Sequence, residues 1–353
     1  MALGSHAAPI ARRRFLSAGL IGLTAKAERR VEGRIVDDSH LRGHQLRDRV
    51  AFAKPRAQVR VPVVIAGGGM AGLCAAWRLD KRGFRDFVVL EMEKQAGGNS
   101  RWGENEVSAY PWAAHYLPVP NKESVLVREI CREFGLLDQQ GNWEERHLCH
   151  SPQERMFLHG RWQEGLEPEI GVTRAQRDQY RRFDDKMRQF RESRQFTIPM
   201  DSGAKPSPLD RLSFEQWMRA EGFDSPYLHW YADYGCRDDY GSRARDTSAW
   251  AGIHYFAARE HEERGPLTWP EGNGWLTRKL LAKLGKHVRT DAMVTSIRRK
   301  NRLLHVEAGE TEYLTQAVIW GAPTFLLQYV SEEAPDCGGL TYSPWITANL
   351  TLD

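Results

Sequence analysis

The chain has 353 residues, 41% hydrophobic and 27% charged, with 31 Gly and 17 Pro. That balance excludes a disordered chain, a fibre and a collagen-like repeat, and the length suffices for two domains. The formal charge of +4 arises in residues 1–27, which carry four basic and no acidic side chains and leave 46 Lys and Arg against 46 Asp and Glu elsewhere, so no nucleic-acid partner is expected.

At the N-terminus, Arg12-Arg13-Arg14-Phe15-Leu16 resembles the twin-arginine export pattern R-R-x-F-L. A short, weakly apolar stretch from Leu16 to Ala25 follows, and Ala25-Lys26-Ala27 fits a small-x-small cleavage site. The expectation is a signal peptide over 1–27, twin-arginine export machinery as a partner, and a periplasmic or exported protein beginning at Glu28. No run of about 18 apolar residues occurs, so no stable membrane insertion is expected. Residues 28–60 hold nine basic and five acidic side chains and read as a solvated N-terminal arm.

Val63-Val64-Ile65-Ala66 is a short β-branched run suited to a buried parallel strand. It leads into Gly67-Gly68-Gly69-Met70-Ala71-Gly72, a G-x-G-x-x-G, and then into a helix with Leu73, Ala76 and Leu79 at helical spacing, ending near Gly83. Phe87-Val88-Val89-Leu90 is a second strand, and Glu91 stands at its end, 19 residues after Gly72. Each part has a job in holding a dinucleotide. Gly67 allows a tight turn, Gly69 lets the backbone approach a pyrophosphate, and Gly72 allows close helix–strand packing. The helix N-terminus offers N–H groups and a positive dipole end to the phosphates, and Glu91 accepts from the ribose hydroxyls.

Further along, Leu126, Ile130 and Phe134 predict one face of a helix closed by Gly135. Thr173 and Gln176 form a capping-box pattern opening a long helix whose apolar stripe is Tyr180, Phe183, Met187 and Phe190. Pro199 to Pro208 reads as a loop, and Phe214 to Ala220 as a further helix. Tyr227, Trp230, Tyr231, Tyr234, Tyr240, Trp250, Tyr255 and Phe256 then crowd into thirty residues around Cys236-Arg237-Asp238-Asp239. They read either as an aromatic-walled substrate pocket, with Arg237 or an acid orienting the substrate, or as a helical core. Val288 to Ile297 and Leu303 to Glu307 read as strands, Ala317 to Trp320 as another, and Thr341 to Leu350 as a last one. The five Cys lack C-x-x-C spacing, and His147, His150, His159, His229, His254 and His261 show no H-x-x-x-H or H-E-x-x-H spacing, so neither a disulfide framework nor a metal site is expected.

The segment after Glu91, with its Gly97-Gly98 doublet, resembles FAD proteins of the flavin amine oxidase and phytoene desaturase type. That family usually has Arg directly after the doublet. Here Asn99 fills the place, and Arg101 is the nearest arginine. The resemblance continues through Ala109 to Leu117, Trp269 to Leu276, and the strand ending Gly321-Ala322-Pro323. It implies an α/β fold, with a Rossmann-like FAD/NAD(P)-binding domain formed by 61–149 and 265–353 and an inserted, largely helical substrate domain over 150–264. It implies FAD as cofactor, held by Gly67, Gly69, Met70, Ala71, Gly72, Glu91, Gly97, Gly98, Asn99, Arg101, Ala114, His115, Val294 and Ala322. His115, Tyr116, Tyr234 and Arg237 are the candidate catalytic residues. The expected partners are a small-molecule substrate, with an amine CH–NH as the leading hydride donor, and oxygen or another electron acceptor. A desaturase or isomerase acting on C–C bonds is the alternative enzyme, and a non-catalytic FAD-binding chain the alternative class. Relatives carry a further C-terminal flavin-contacting segment, so the chain is expected to be a fragment ending at Asp353.

Overall fold

The computed structural model describes residues 33, 40–150, 154–200, 207–259 and 265–352; the expected signal peptide lies outside them. Residues 39–353 belong to one compact unit. In chain order its elements are α1 (His40–Arg47), β1 (Ala57–Arg60), β2 (Val63–Ala66), α2 (Met70–Lys81), β3 (Phe87–Leu90), β4 (Trp102–Glu104), β5 (Ala109–Pro111), β6 (Tyr116–Leu117) and α3 (Val125–Glu133). Next come β7 (Arg155–Leu158), β8 (Arg161–Glu164), α4 (Arg174–Glu192), α5 (Phe214–Ala220), α6 (Pro226–Tyr240), α7 (Ala249–Ala257), β9 (Leu267–Thr268) and α8 (Gly274–Leu284). The last are β10 (Val288–Arg289), β11 (Val294–Lys300), β12 (Leu303–Ala308), β13 (Thr311–Thr315), β14 (Ala317–Trp320) and α9 (Leu327–Val330).

The central sheet is parallel, in the order β10-β3-β2-β14. Its strands are apolar on both faces because both faces are covered. Ile65, Phe87 and Val89 pack with Leu73, Ala76 and Trp77 of α2 and Leu280 and Leu284 of α8. The alternating residues Val64, Ala66, Val88 and Leu90 pack on the other side with Met293, Val294, Ile297 and Val306. The period of two along each strand thus assigns one set to the helices and the other to the second sheet. That second sheet is the antiparallel run β11-β12-β13, extended by β1 parallel to β13. The result is the expected mixed α/β, Rossmann-like fold.

Helices α4 to α7 close around a separate apolar core built on Phe183, Phe214, Trp217, Leu228 and Ile253. The capping box at α4 forms as read: the Thr173 hydroxyl accepts the Gln176 N–H, and the Gln176 side chain accepts the Thr173 N–H.

Four expectations are corrected. Val288 to Ile297 is not one strand; β10 joins the parallel sheet and β11 the antiparallel one, with Asp291 in the left-handed region (φ 54°) between them. Thr341 to Leu350 forms no strand, since no neighbour offers it a ladder and Trp345, Ile346 and Leu350 stay exposed. Leu126 is exposed at the start of α3, and it is Ile130 and Cys131 that face inward. The basic arm is not simply solvated: over 40–60 it folds onto the unit, with Leu46 buried in the core that holds Val64 and Leu90 and β1 paired to β13.

Candidate functional site

Two glycine turns meet where the central strands end. Gly67 leaves β2 with φ 105°, conformational space that favours glycine. A Cβ on Gly67 would stand 2.9 Å from the Ala322 nitrogen, and one on Gly72 only 1.9 Å from the Gly67 carbonyl oxygen. The second turn lies against the first, since Gly97 donates its N–H to the Gly68 carbonyl at 2.8 Å and Gly69 and Gly97 form a parallel bridge. Gly69 differs from Gly67 and Gly72: its φ is an ordinary −71°, and a Cβ there would meet nothing nearer than Gly98 Cα at 3.8 Å. No protein neighbour requires glycine at this position. The room a side chain would fill lies at the N-terminus of α2, where no side chain caps the helix and Ala71 is exposed. Helix N–H groups and the dipole there suit a diphosphate.

Glu91 is buried at the end of β3. Its carboxylate accepts the Gly68 N–H at 2.7 Å and the Glu93 N–H at 2.8 Å. A carboxylate has about four acceptor positions, so two remain for a diol. Burial pushes this carboxyl up, against the pull of those two N–H groups and of the nearby Arg101. Residues 289–292 brace the acid: Glu91 donates its N–H to the Arg289 carbonyl and accepts the Ala292 N–H on its own, both at 2.8 Å. Val294 is buried just beyond, against the sheet face that carries Leu90.

Arg101 donates from Nε to the Gly98 carbonyl at 3.1 Å, and its Nη1 stands 3.9 Å from a Glu93 carboxylate oxygen. It therefore lies over the second glycine turn, two residues beyond the position where the resemblance puts an arginine. Asn99 is exposed, and its carbonyl accepts the Ala114 N–H at 2.9 Å. Met70 turns its side chain toward Thr277 of α8, whose hydroxyl also donates to the Ser100 carbonyl.

His115 is exposed, with Nδ1 3.2 Å from the Ala113 carbonyl, and its ring meets Tyr116 edge-on at 4.7 Å. Besides the bond from the Ala114 N–H to Asn99, the backbone of this turn is held by the segment 268–273. Asn273 N–H donates to the Ala114 carbonyl at 2.9 Å, Thr268 Oγ1 to the His115 carbonyl at 3.2 Å, and Asn273 Nδ2 to the Tyr116 carbonyl at 3.0 Å. Gly272 adopts φ 57°, and a Cβ there would stand 2.6 Å from the Ala114 oxygen.

Of the aromatic set, Tyr231, Trp250, Phe256 and Tyr227 pack on the helical core, and Tyr240 donates its hydroxyl to the Ala251 carbonyl. The first four are core side chains, and the aromatic-walled pocket is corrected to that extent, because they lie on the sides of α6 and α7 turned toward that core, while Tyr240 stays exposed. Tyr234 stands apart, stacked on Trp230 and donating its hydroxyl to Glu154 at 2.9 Å. Burial comes first in raising the Tyr116 hydroxyl, followed by the charges of Asp238, Asp239 and Glu154. Tyr116 and Tyr234 therefore share a charged neighbourhood in which Arg259, paired with Asp239 at 2.8 Å, acts in the opposite sense to the three carboxylates. Arg237 does not join it; its guanidinium pairs with Asp233 one turn back at 2.7 Å and is exposed. Burial pushes the Cys131 and Cys236 thiols up to about 12, so both stay protonated. Among the described residues no helix is long and apolar enough to cross a membrane, and no group of three His, Cys, Asp or Glu could hold a metal ion.

Residues 65–134 match the family described as an NAD(P)-binding Rossmann-like domain. Over 76 residues the chain is 43% identical to L-amino-acid oxidase from Bothrops pauloensis, covering 21% of this chain and 14% of that protein. Over 77 residues it is 38% identical to a Baeyer-Villiger monooxygenase from Penicillium patulum, covering 22% and 11%. Its fold is similar to that of putrescine oxidase solved with putrescine bound (TM-score 0.63, 18% identity, 78% of this chain and 60% of that one). It is likewise similar to cyclohexylamine oxidase from Brevibacterium oxydans (TM-score 0.60, 14% identity, 78% and 61%). The chain thus spans about three fifths of the length of the solved proteins it resembles and a much smaller share of the curated relatives.

Proposed function

We propose that the chain binds FAD and belongs to a flavin-dependent oxidoreductase acting on a small-molecule amine. One observation carries the cofactor reading: two glycine turns joined backbone to backbone, an uncapped helix N-terminus at Gly69, where a Cβ would meet no protein atom nearer than 3.8 Å, and a buried acid at the next strand end. In this reading Gly67 to Gly72 and Gly97-Gly98 hold the diphosphate, Glu91 accepts from the adenosine ribose, and the backbone at Val294 and Ala322 borders the nucleotide. When bound, FAD supplies a two-electron acceptor that takes hydride from a substrate C–H bond and passes the electrons to oxygen or another acceptor.

The chain's own residues orient and desolvate the substrate. The turn at Ala114 and His115, pinned by Thr268 and Asn273, presents a rigid edge toward the cofactor. Helices α4 to α7 form the cap, with Tyr116 and Tyr234 beside Glu154, Asp238 and Asp239. Arg259, paired with Asp239 at 2.8 Å, offsets one of these three carboxylates; the remaining acidic excess favours a cationic partner over a neutral hydrocarbon, which supports the amine reading above C–C desaturation. We also propose export through the twin-arginine route and a periplasmic or exported location, supported by Arg12 to Leu16 and the small-residue site at Ala25-Lys26-Ala27.

The test is spectroscopic. The purified full chain is expected to show the visible absorbance of oxidised flavin, to bleach anaerobically with an amine, and to release hydrogen peroxide on return to air. A colourless protein that takes up no added FAD overturns the reading. Bleaching by an unsaturated lipid, with none by amines, overturns the substrate class alone.

A further inference from the structure

We propose that Arg42, on the N-terminal helix α1, is a positioning residue for the nucleotide end of the cofactor site. The guanidinium spans two chain segments far away in sequence. Nη1 donates to the Met92 carbonyl at 2.6 Å and to Asp291 Oδ1 at 3.1 Å, and Nη2 donates to the Asp291 carbonyl at 3.3 Å. Met92 directly follows the buried acid. Asp291 stands in the β10–β11 turn that braces it, in left-handed backbone, with its own N–H donated to the Glu93 carbonyl at 3.0 Å. One side chain thus ties together the two strand-end segments that hold Glu91 and lead into Val294.

The helix can deliver that group because Leu46, four residues on, lies on the same face of α1 and is buried in the core that includes Val64, Leu90 and Met293. An eight-residue helix containing Gly43 is too short to persist alone, so docking through Leu46 and Arg42 maintains it. The two segments held by Arg42 border the ribose of a bound adenine nucleotide, so docking of α1 and nucleotide binding favour one another, and the coupling acts in both directions.

This inference rests on the dinucleotide reading of the glycine turns, and ADP separates the two: it carries the adenosine and diphosphate without the flavin. In the full chain, Arg42→Gln is expected to raise the Kd for both ADP and FAD about tenfold, with the thermal midpoint of the apo-protein lowered by no more than about 4 °C, as suits a partly exposed ion pair. Arg42→Lys should fall between that variant and the parent, because it keeps the charge and loses the fork. Asp291→Asn should reproduce part of the loss while keeping a residue that tolerates left-handed backbone. In the parent, ADP should slow amide exchange over residues 40–47. Equal ADP affinity in the parent and Arg42→Gln, or exchange over 40–47 that ADP leaves unchanged, overturns the role of Arg42. A parent protein that binds ADP yet takes up no FAD overturns the flavin reading and leaves the Arg42 comparison readable.

Discussion

The Glu91 carboxylate and the Gly68 N–H meet at 2.7 Å, which ties the acid at the end of β3 to the middle glycine of the turn after β2. The bond fixes the carboxylate before any ligand arrives, and burial raises its proton affinity. Cofactor affinity should therefore fall on acidification from a pH above the ordinary carboxylate range, because protonation removes an acceptor facing the ribose. The apo-protein should respond in the opposite sense. A carboxyl raised by folding contributes stability that is present below its unfolded value and is lost as pH rises through its folded one. Glu91→Gln should flatten the acid limb of FAD binding and raise Kd by about ten- to a hundredfold, the loss of hydrogen bonds to a charged group. Titrating FAD into both proteins across pH checks this; identical acid limbs would remove Glu91 from the site.

Gly69 and Gly72 should separate in their effects although they are three residues apart. A Cβ on Gly72 stands 1.9 Å from the Gly67 carbonyl oxygen and backbone must move, so Gly72→Ala should cost about 3 kcal/mol or more of fold stability. Gly69→Ala meets no protein atom nearer than 3.8 Å, and the fold should lose no more than about 1 kcal/mol, while FAD affinity collapses. Urea unfolding of the apo-proteins alongside flavin content measures both. A stable Gly72→Ala, or a Gly69→Ala that keeps its flavin, contradicts the assignment.

The glycine turns were legible because local rules converge there: β-branched strand, special backbone, amphipathic helix and strand-end acid all fall within about thirty residues. The strand split at Asp291 was not legible, since Val288 to Ile297 reads as one β-rich run and only the two sheets' differing partners divide it. The two readings of the aromatic cluster could not be separated from the sequence for a related reason. Composition shows that Tyr231, Trp250 and Phe256 lie near one another, but which side of α6 and α7 faces the helical core is decided by tertiary packing. Arg42 left no signal at all, because its partners lie 50 and 249 residues away and no spacing rule reaches that far.

Arg237 should prove dispensable. Its guanidinium is exposed and paired with Asp233 one helical turn away, an arrangement worth about 0.3–0.5 kcal/mol. Arg237→Ala should leave flavin content and kcat at parental values and shift stability by no more than that amount. A tenfold fall in kcat at unchanged flavin content would return Arg237 to the reaction.

Asn273 should matter for turnover more than for cofactor retention. It bonds neither glycine turn, yet its backbone N–H and Nδ2 hold the Ala114 and Tyr116 carbonyls on either side of His115. Asn273→Ala removes the Nδ2 donor and keeps the backbone bond, so the turn loses one of the three hydrogen bonds it receives from the segment 268–273, at a cost of about 1 kcal/mol in stability. Reaction geometry is more sensitive than stability: a displacement of about 1 Å costs up to a hundredfold in rate. The expected result is near-parental flavin content with kcat reduced by about ten- to a hundredfold. Thr268→Val, which removes only the bond to the His115 carbonyl, should act in the same direction and more weakly. Loss of flavin from Asn273→Ala with kcat per bound flavin unchanged would instead make the 268–273 segment part of the cofactor grip, and His115 would then have no special claim to the reacting face.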